Sequence, residues 1–211
     1  MRHAYEDRSL MLGPRHPKVA TAGRGHIYAV MDGVGGAPKG MQAAQLIADG
    51  LVAFFGTTSF APSQEGLIEL LRTINDRAHA LGFIEGSDRP LAAAAATVAW
   101  FSPSERVHIL HVGDTMAWRF DGERLVPLTR VHGDRKILSR YVGQGSDFQL
   151  DCSSVAMEEG EMLVLATDGV TKALSQPEVA AIIRELPTPA RAAREVVERA
   201  RRRGSDDAPS P

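Results

Sequence analysis

Ala93-Ala94-Ala95-Ala96-Thr97-Val98-Ala99-Trp100-Phe101, then Arg106-Val107-His108-Ile109-Leu110-His111-Val112, then Thr115-Met116-Ala117-Trp118-Arg119-Phe120, then Arg124-Leu125-Val126-Pro127-Leu128 are four short apolar runs of strand character. They are separated only by Ser102-Pro103-Ser104-Glu105, Gly113-Asp114 and Asp121-Gly122. Connections this short cannot hold the crossover that parallel strands need, so the runs predict an antiparallel meander. Working outward, Gln149 to Met157 and Glu161 to Ala166 predict a further strand pair across Glu158-Glu159-Gly160, and His26 to Met31 predicts a first strand.

Helical spacing flanks this centre. Gly40 to Phe55 carries Ala44, Ile47, Ala48, Leu51 and Phe55 on one face, and Gln64 to Phe83 carries Leu67, Leu70, Leu71, Ile74 and Ala78. Gln176 to Leu186 and Pro189 to Arg203 predict two later helices. Helices segregated around antiparallel sheet define an α+β layered domain. The arginine-rich run from Arg191 to Arg203 has Ala192, Val196, Val197 and Ala200 at helical spacing, which marks an amphipathic helix rather than a nucleic-acid patch.

Three strand runs end in an aspartate beside a glycine: Met31-Asp32-Gly33, Val112-Gly113-Asp114 and Ala166-Thr167-Asp168-Gly169. One such ending is turn chemistry. Three, with Glu6-Asp7 early and Asp206-Asp207 late, predict a site built from distant parts of the chain. Gathered carboxylates repel unless protons or cations intervene, and an all-oxygen set suits magnesium or manganese rather than zinc. Asp32-Gly33-Val34-Gly35-Gly36 lacks the Gly-x-Gly-x-x-Gly and Gly-Lys-Ser/Thr spacings, which excludes Rossmann and P-loop readings.

The whole-chain figures agree. The 211 residues suit one large domain, with 44% hydrophobic and 24% charged residues. A formal net charge of −2 argues against nucleic-acid or anionic-membrane partners. No run approaches the roughly 18 apolar residues of a membrane span, and no basic-then-apolar signal pattern opens the chain. The lone Cys152 cannot form an internal disulfide, so a reducing, cytoplasmic setting is expected, with the thiol as a small buried hydrophobe inside a strand. His108 and His111 are expected to be structural.

Taken in order, Glu6-Asp7, Asp32-Gly33-Val34-Gly35-Gly36, Val112-Gly113-Asp114-Thr115, Ala166-Thr167-Asp168-Gly169-Val170-Thr171 and Gly204-Ser205-Asp206-Asp207 resemble the motifs of the metal-dependent protein phosphatases, the type 2C family, over essentially the whole chain. The resemblance implies a four-layer α-β-β-α sandwich, two antiparallel sheets flanked by helices, in a single domain over residues 1–211. It implies hydrolysis of phosphoserine and phosphothreonine in proteins by direct attack of a water that bridges two divalent metals, with an opposing Ser/Thr kinase as natural counterpart. Two or three Mn2+ or Mg2+ ions would be held as follows. Asp32 bridges the pair, the Gly33 carbonyl binds one ion, and Asp168 and Asp206 bind the other. Asp114, with Asp168, holds a third and weaker ion, while Glu6 and Asp7 hold metal-bound waters. Arg2, four residues before Glu6, matches the arginine that binds substrate phosphate. Asp207 stands where the family has Asn or Asp.

The chain also departs from the pattern. Val34 replaces a histidine found in some members, so the leaving-group acid is not named by the sequence. Ala95-Ala96-Thr97 replaces Gly-Thr-Thr, and only residues 133–140 remain where many members carry a longer flap. A strand before the first motif and one after the last are expected to be missing. The alternative reading of the same motifs is a catalytically impaired pseudophosphatase that serves as a binding or regulatory module.

Overall fold

The computed structural model describes residues 7–35, 37–56, 59–82, 91–134, 137–186 and 188–206. The chain divides into two compact units, Met1–Thr115 with Val131–Ala156, and Met116–Arg130 with Met157–Pro211.

The first unit holds β1 (Arg8–Leu12), α1 (Pro17–Ala20), β2 (His26–Gly33), α2 (Gly40–Ala53), α3 (Gln64–Gly82), β3 (Ala94–Phe101), β4 (Val107–Val112) and, after one 3-10 turn (Gly145–Asp147), β7 (Asp151–Val155). Its five strands form one antiparallel sheet in the order β1-β2-β3-β4-β7. Strand alternation sorts the side chains. Ile27, Ala29 and Met31 on β2 face the same side as Trp100, Val98 and Ala96 on β3 and Leu110 and Val112 on β4. This face packs with Ala43, Ala44, Ile47 and Leu51 of α2 and Leu67, Leu71 and Ile74 of α3. Fully burying each leucine or isoleucine contributes about 1.5–3 kcal/mol, so this layer carries the unit's stability. The helices meet closely at Gly50, where an added Cβ would lie 2.4 Å from the Ile74 Cδ1. The opposite face of the sheet carries Tyr28, Val30, Asp32, Thr97 and His111.

The second unit holds β5 (Met116–Phe120), β6 (Leu125–Pro127), β8 (Met162–Ala166), α4 (Asp168–Ala173), α5 (Gln176–Glu185) and α6 (Pro189–Asp206). Its three strands pair antiparallel in the order β6-β5-β8. Met116, Trp118 and Phe120 share a core with Leu125, Ala166, Val179, Ile183 and the α6 ladder Ala192, Val196, Ala200. At the start of α5, the Ser175 N–H donates to the Glu178 carboxylate at 2.8 Å and the Ser175 hydroxyl donates to it at 2.6 Å. Arg203 of α6 donates to the same carboxylate at 2.8 Å and to the Ala173 carbonyl that ends α4 at 2.9 Å. These bonds hold Glu178 down to a pKa of about 2, the Arg203 guanidinium contributing most.

The α+β architecture of two antiparallel sheets with helices matches the sequence expectation, but three details differ. β4 and β5 do not continue a meander. They belong to different sheets, because Gly113, at φ +101, turns the chain out of the first sheet in a conformation only glycine adopts cheaply. β7 and β8 are likewise no hairpin: β7 pairs with β4, and β8 with β5. Local spacing cannot distinguish a turn within a sheet from one between sheets. Finally, Cys152 is exposed rather than buried, because β7 is the last strand of its sheet. Partial desolvation and the Asp151 charge nevertheless push its thiol up to about 11, leaving little thiolate at neutral pH.

Candidate metal and phosphate site

Asp32 lies near the end of β2, paired with Ala95 at the start of β3. Gly33 pairs with Ala94, and the Val34 N–H donates to the Ala93 carbonyl at 2.9 Å, extending the pairing past the motif. The chain then turns into α2. Its first residue, Gly40, sits so close that an added Cβ would meet the Gly33 backbone at 3.1 Å. Asp32 and Gly33 are thus strand residues, wedged between β3 and the start of a helix.

Asp114 follows β4 at the same end of the sheet. An added Cβ on Gly113 would lie 2.3 Å from the Ala95 Cβ, so Gly113 rests on the residue that pairs with Asp32. Asp7 immediately precedes β1, whose Arg8 pairs with Met31. Three sequence-predicted acids, Asp7, Asp32 and Asp114, thus lie on segments that run to one end of the first sheet.

In the second unit, Asp168 opens α4 directly after β8 and makes an ion pair with Lys172 one helical turn on. Asp206 is the last residue of α6, which runs three residues past the Arg203 expected to end it. Arg2, Glu6 and Asp207 lie outside the described residues. Among the described residues, no group of three His, Cys, Asp or Glu is set to hold a metal.

The donor chemistry in the first unit still fits a hard cation. Asp32 and Asp114 are only partly buried, and the Gly33 carbonyl lies next to the first of them. The nearby histidines are engaged elsewhere. His111, 1% exposed, shares a 2.9 Å hydrogen bond through Nδ1 with the Thr97 hydroxyl, which meets the Thr115 hydroxyl at 2.7 Å. His108 bonds Gln64 at 2.7 Å and packs on Trp100, and burial followed by the Arg106 charge lowers its pKa. Both histidines are structural. His132, which sequence reading passed over, accepts the Gly113 N–H on Nδ1 and bonds Asp151 through Nε2. Carboxylate and carbonyl oxygens thus remain as ligands, a set that suits magnesium or manganese.

The protein phosphatase 2C family model matches residues 16–201, and the chain belongs to that family. No curated protein matches the sequence clearly. Among solved structures, the fold resembles PppA, a regulatory component of the type VI secretion system in Pseudomonas aeruginosa, with a TM-score of 0.80 and 22% identity over 98% of this chain and 89% of that one. It also resembles the serine/threonine phosphatase of S. agalactiae, with a TM-score of 0.77 and 19% identity over 97% of this chain and 90% of that one. The Mycobacterium tuberculosis phosphatase PstP gives a TM-score of 0.76 and 21% identity over 98% of this chain and 90% of that one.

Proposed function

We propose that the protein is a manganese- or magnesium-dependent phosphatase that hydrolyses phosphoserine and phosphothreonine in proteins, opposing a Ser/Thr kinase in the cytoplasm. The observation that supports this reading is the placement of Asp32 at the end of β2 and of Asp114 just after β4, toward one end of the same sheet, in a chain of this family. Membrane and nucleic-acid partners are not expected, and no described helix is long and apolar enough to cross a membrane.

In this reading the two units act as one phosphatase domain. Asp32 and the Gly33 carbonyl would hold one ion, Asp32, Asp168 and Asp206 would hold a second, Asp114 and Asp168 would hold a third, and Glu6 and Asp7 would hold metal-bound waters. When bound, such ions supply an activated water and neutralise charge on the phosphoryl group, which lowers a barrier that needs a reduction on the order of 20 kcal/mol. The Arg2 guanidinium holds two phosphate oxygens and orients the ester for in-line attack. Cys152, with its raised pKa, has no part in the chemistry.

One feature favours a second reading, a pseudophosphatase that keeps the fold as a binding module: the Lys172 ammonium already neutralises Asp168. Hydrolysis of p-nitrophenyl phosphate and of a phosphothreonine peptide, with manganese and after exhaustive chelation, decides between them. The phosphatase reading expects turnover that manganese restores. Full activity after chelation overturns the metal mechanism, and no activity under any metal favours the binding module.

A further inference from the structure

The Gly113-Asp114 turn is held by a chain of side chains, centred on the buried His132, that the proposed chemistry does not itself use. His132 lies on the segment that returns to the first sheet, and it is 5% exposed. Its backbone N–H donates to the Gly113 carbonyl at 2.8 Å. Its ring Nδ1 accepts the Gly113 N–H at 3.2 Å. One residue therefore grips Gly113 at both backbone groups.

A ring nitrogen that accepts a hydrogen bond carries no proton, so the His132 proton sits on Nε2. There it is donated to the Asp151 Oδ2 at 3.0 Å. The other oxygen of Asp151 accepts from the Arg140 Nη1 at 2.9 Å. Asp151 is itself fixed on β7, opposite His111 in register, and the His111 ring lies 4.7 Å from that of His132. On the far side of Asp114, Thr115 is tied to Thr97, which also bonds His111. Asp114 is thus anchored through both neighbours, by His132 before it and by the Thr97–His111 pair after it.

We propose that His132, set in one tautomer by Asp151 and Arg140, is a positioning residue that aims the Asp114 carboxylate at its cation. This rests on the phosphatase reading above. Gly113 needs such a grip, because at φ +101 it has no regular secondary structure to fix it. Loss of this grip is expected to weaken the cation that Asp114 would hold by roughly tenfold.

Three measurements test it. Long-range 1H–15N correlation of the wild-type chain should show neutral His132 protonated on Nε2, and an Nδ1–H ring would overturn the proposal. Manganese titration followed by paramagnetic broadening of the Gly113 and Thr115 amide signals, and in parallel by turnover, should shift about tenfold to higher metal in His132→Ala, with KM little changed. His132→Asn, whose Oδ1 can stand in for Nδ1 as the Gly113 acceptor, should recover most of that shift. An unchanged titration in folded His132→Ala, or equal shifts in the Ala and Asn variants, overturns the positioning role. Should His132→Ala fail to fold, the Asn variant and the tautomer decide. A wild-type chain that broadens with manganese but hydrolyses nothing would refute the phosphatase reading while leaving the grip on Asp114 standing.

Discussion

The two units present their acids in different ways. In the first, Asp32 and Asp114 sit at the ends of central strands, backed by Ala95, Gly113 and the buried Thr97, His111 and His132. In the second, Asp168 and Asp206 sit at helix ends. α4 buries none of its residues fully, and Asp168 is held by the exposed ammonium of Lys172. Helix ends fray more readily than paired strand interiors move. The difference teaches that the first unit fixes its acids through paired backbone and buried neighbours, whereas the second holds Asp168 through an exposed ion pair on a short helix.

The largest expected effect lies in the first unit. Asp32→Asn should lower turnover by at least ~100-fold, since this carboxylate serves both ions of the proposed pair. A modest loss in steady-state assays would mean that the first unit is not the core of the site.

Next is Gly113→Ala, which forces a side chain into positive φ and against Ala95. It should cost about 2–4 kcal/mol in urea unfolding. A neutral result would show that the turn is softer than its contacts imply.

In the second unit, Lys172→Ala should tighten manganese binding a few-fold in calorimetry, because an exposed ion pair is worth little and yet must be given up. Weaker binding would mean that Lys172 assists the cation rather than competing with it.

The smallest effect concerns Glu178, whose pKa is held down to about 2 by Arg203 and Ser175. A depressed carboxylate stabilises the fold above its ordinary pKa near 4.5 and loses that contribution as pH falls toward 2. Glu178→Gln should therefore melt below wild type at pH 7, with the gap narrowing as pH falls from 4.5. A gap independent of pH would assign the effect to packing.

Much of this was legible in the sequence. Helical spacing located α2 and α3 to within two residues, since Leu67, Leu70, Leu71 and Ile74 recur on one face. β1 was not legible: Met11, 75% exposed, puts an apolar residue on the solvent side of an edge strand and blurs the alternation. α4, six residues long with no fully buried side chain, left no periodic trace. The strand expected to be missing before the first motif and the one after the last fall outside the described residues. His132 was missed for a different reason. It stands 19 residues from both Gly113 and Asp151, in a stretch without regular structure, so only the folded chain brings the three together. The strand-end positions of Asp32 and Asp114 were legible because aspartate beside glycine after an apolar run is a local pattern.

The most direct test of the central claim is anomalous diffraction at the manganese edge from crystals grown with Mn2+. The account predicts two peaks about 3.5–4 Å apart, bridged by Asp32, with Asp168 and Asp206 on the second ion and Lys172 turned away from Asp168. Peaks that avoid Asp32, or crystals that take up no manganese while Lys172 stays on Asp168, would contradict it.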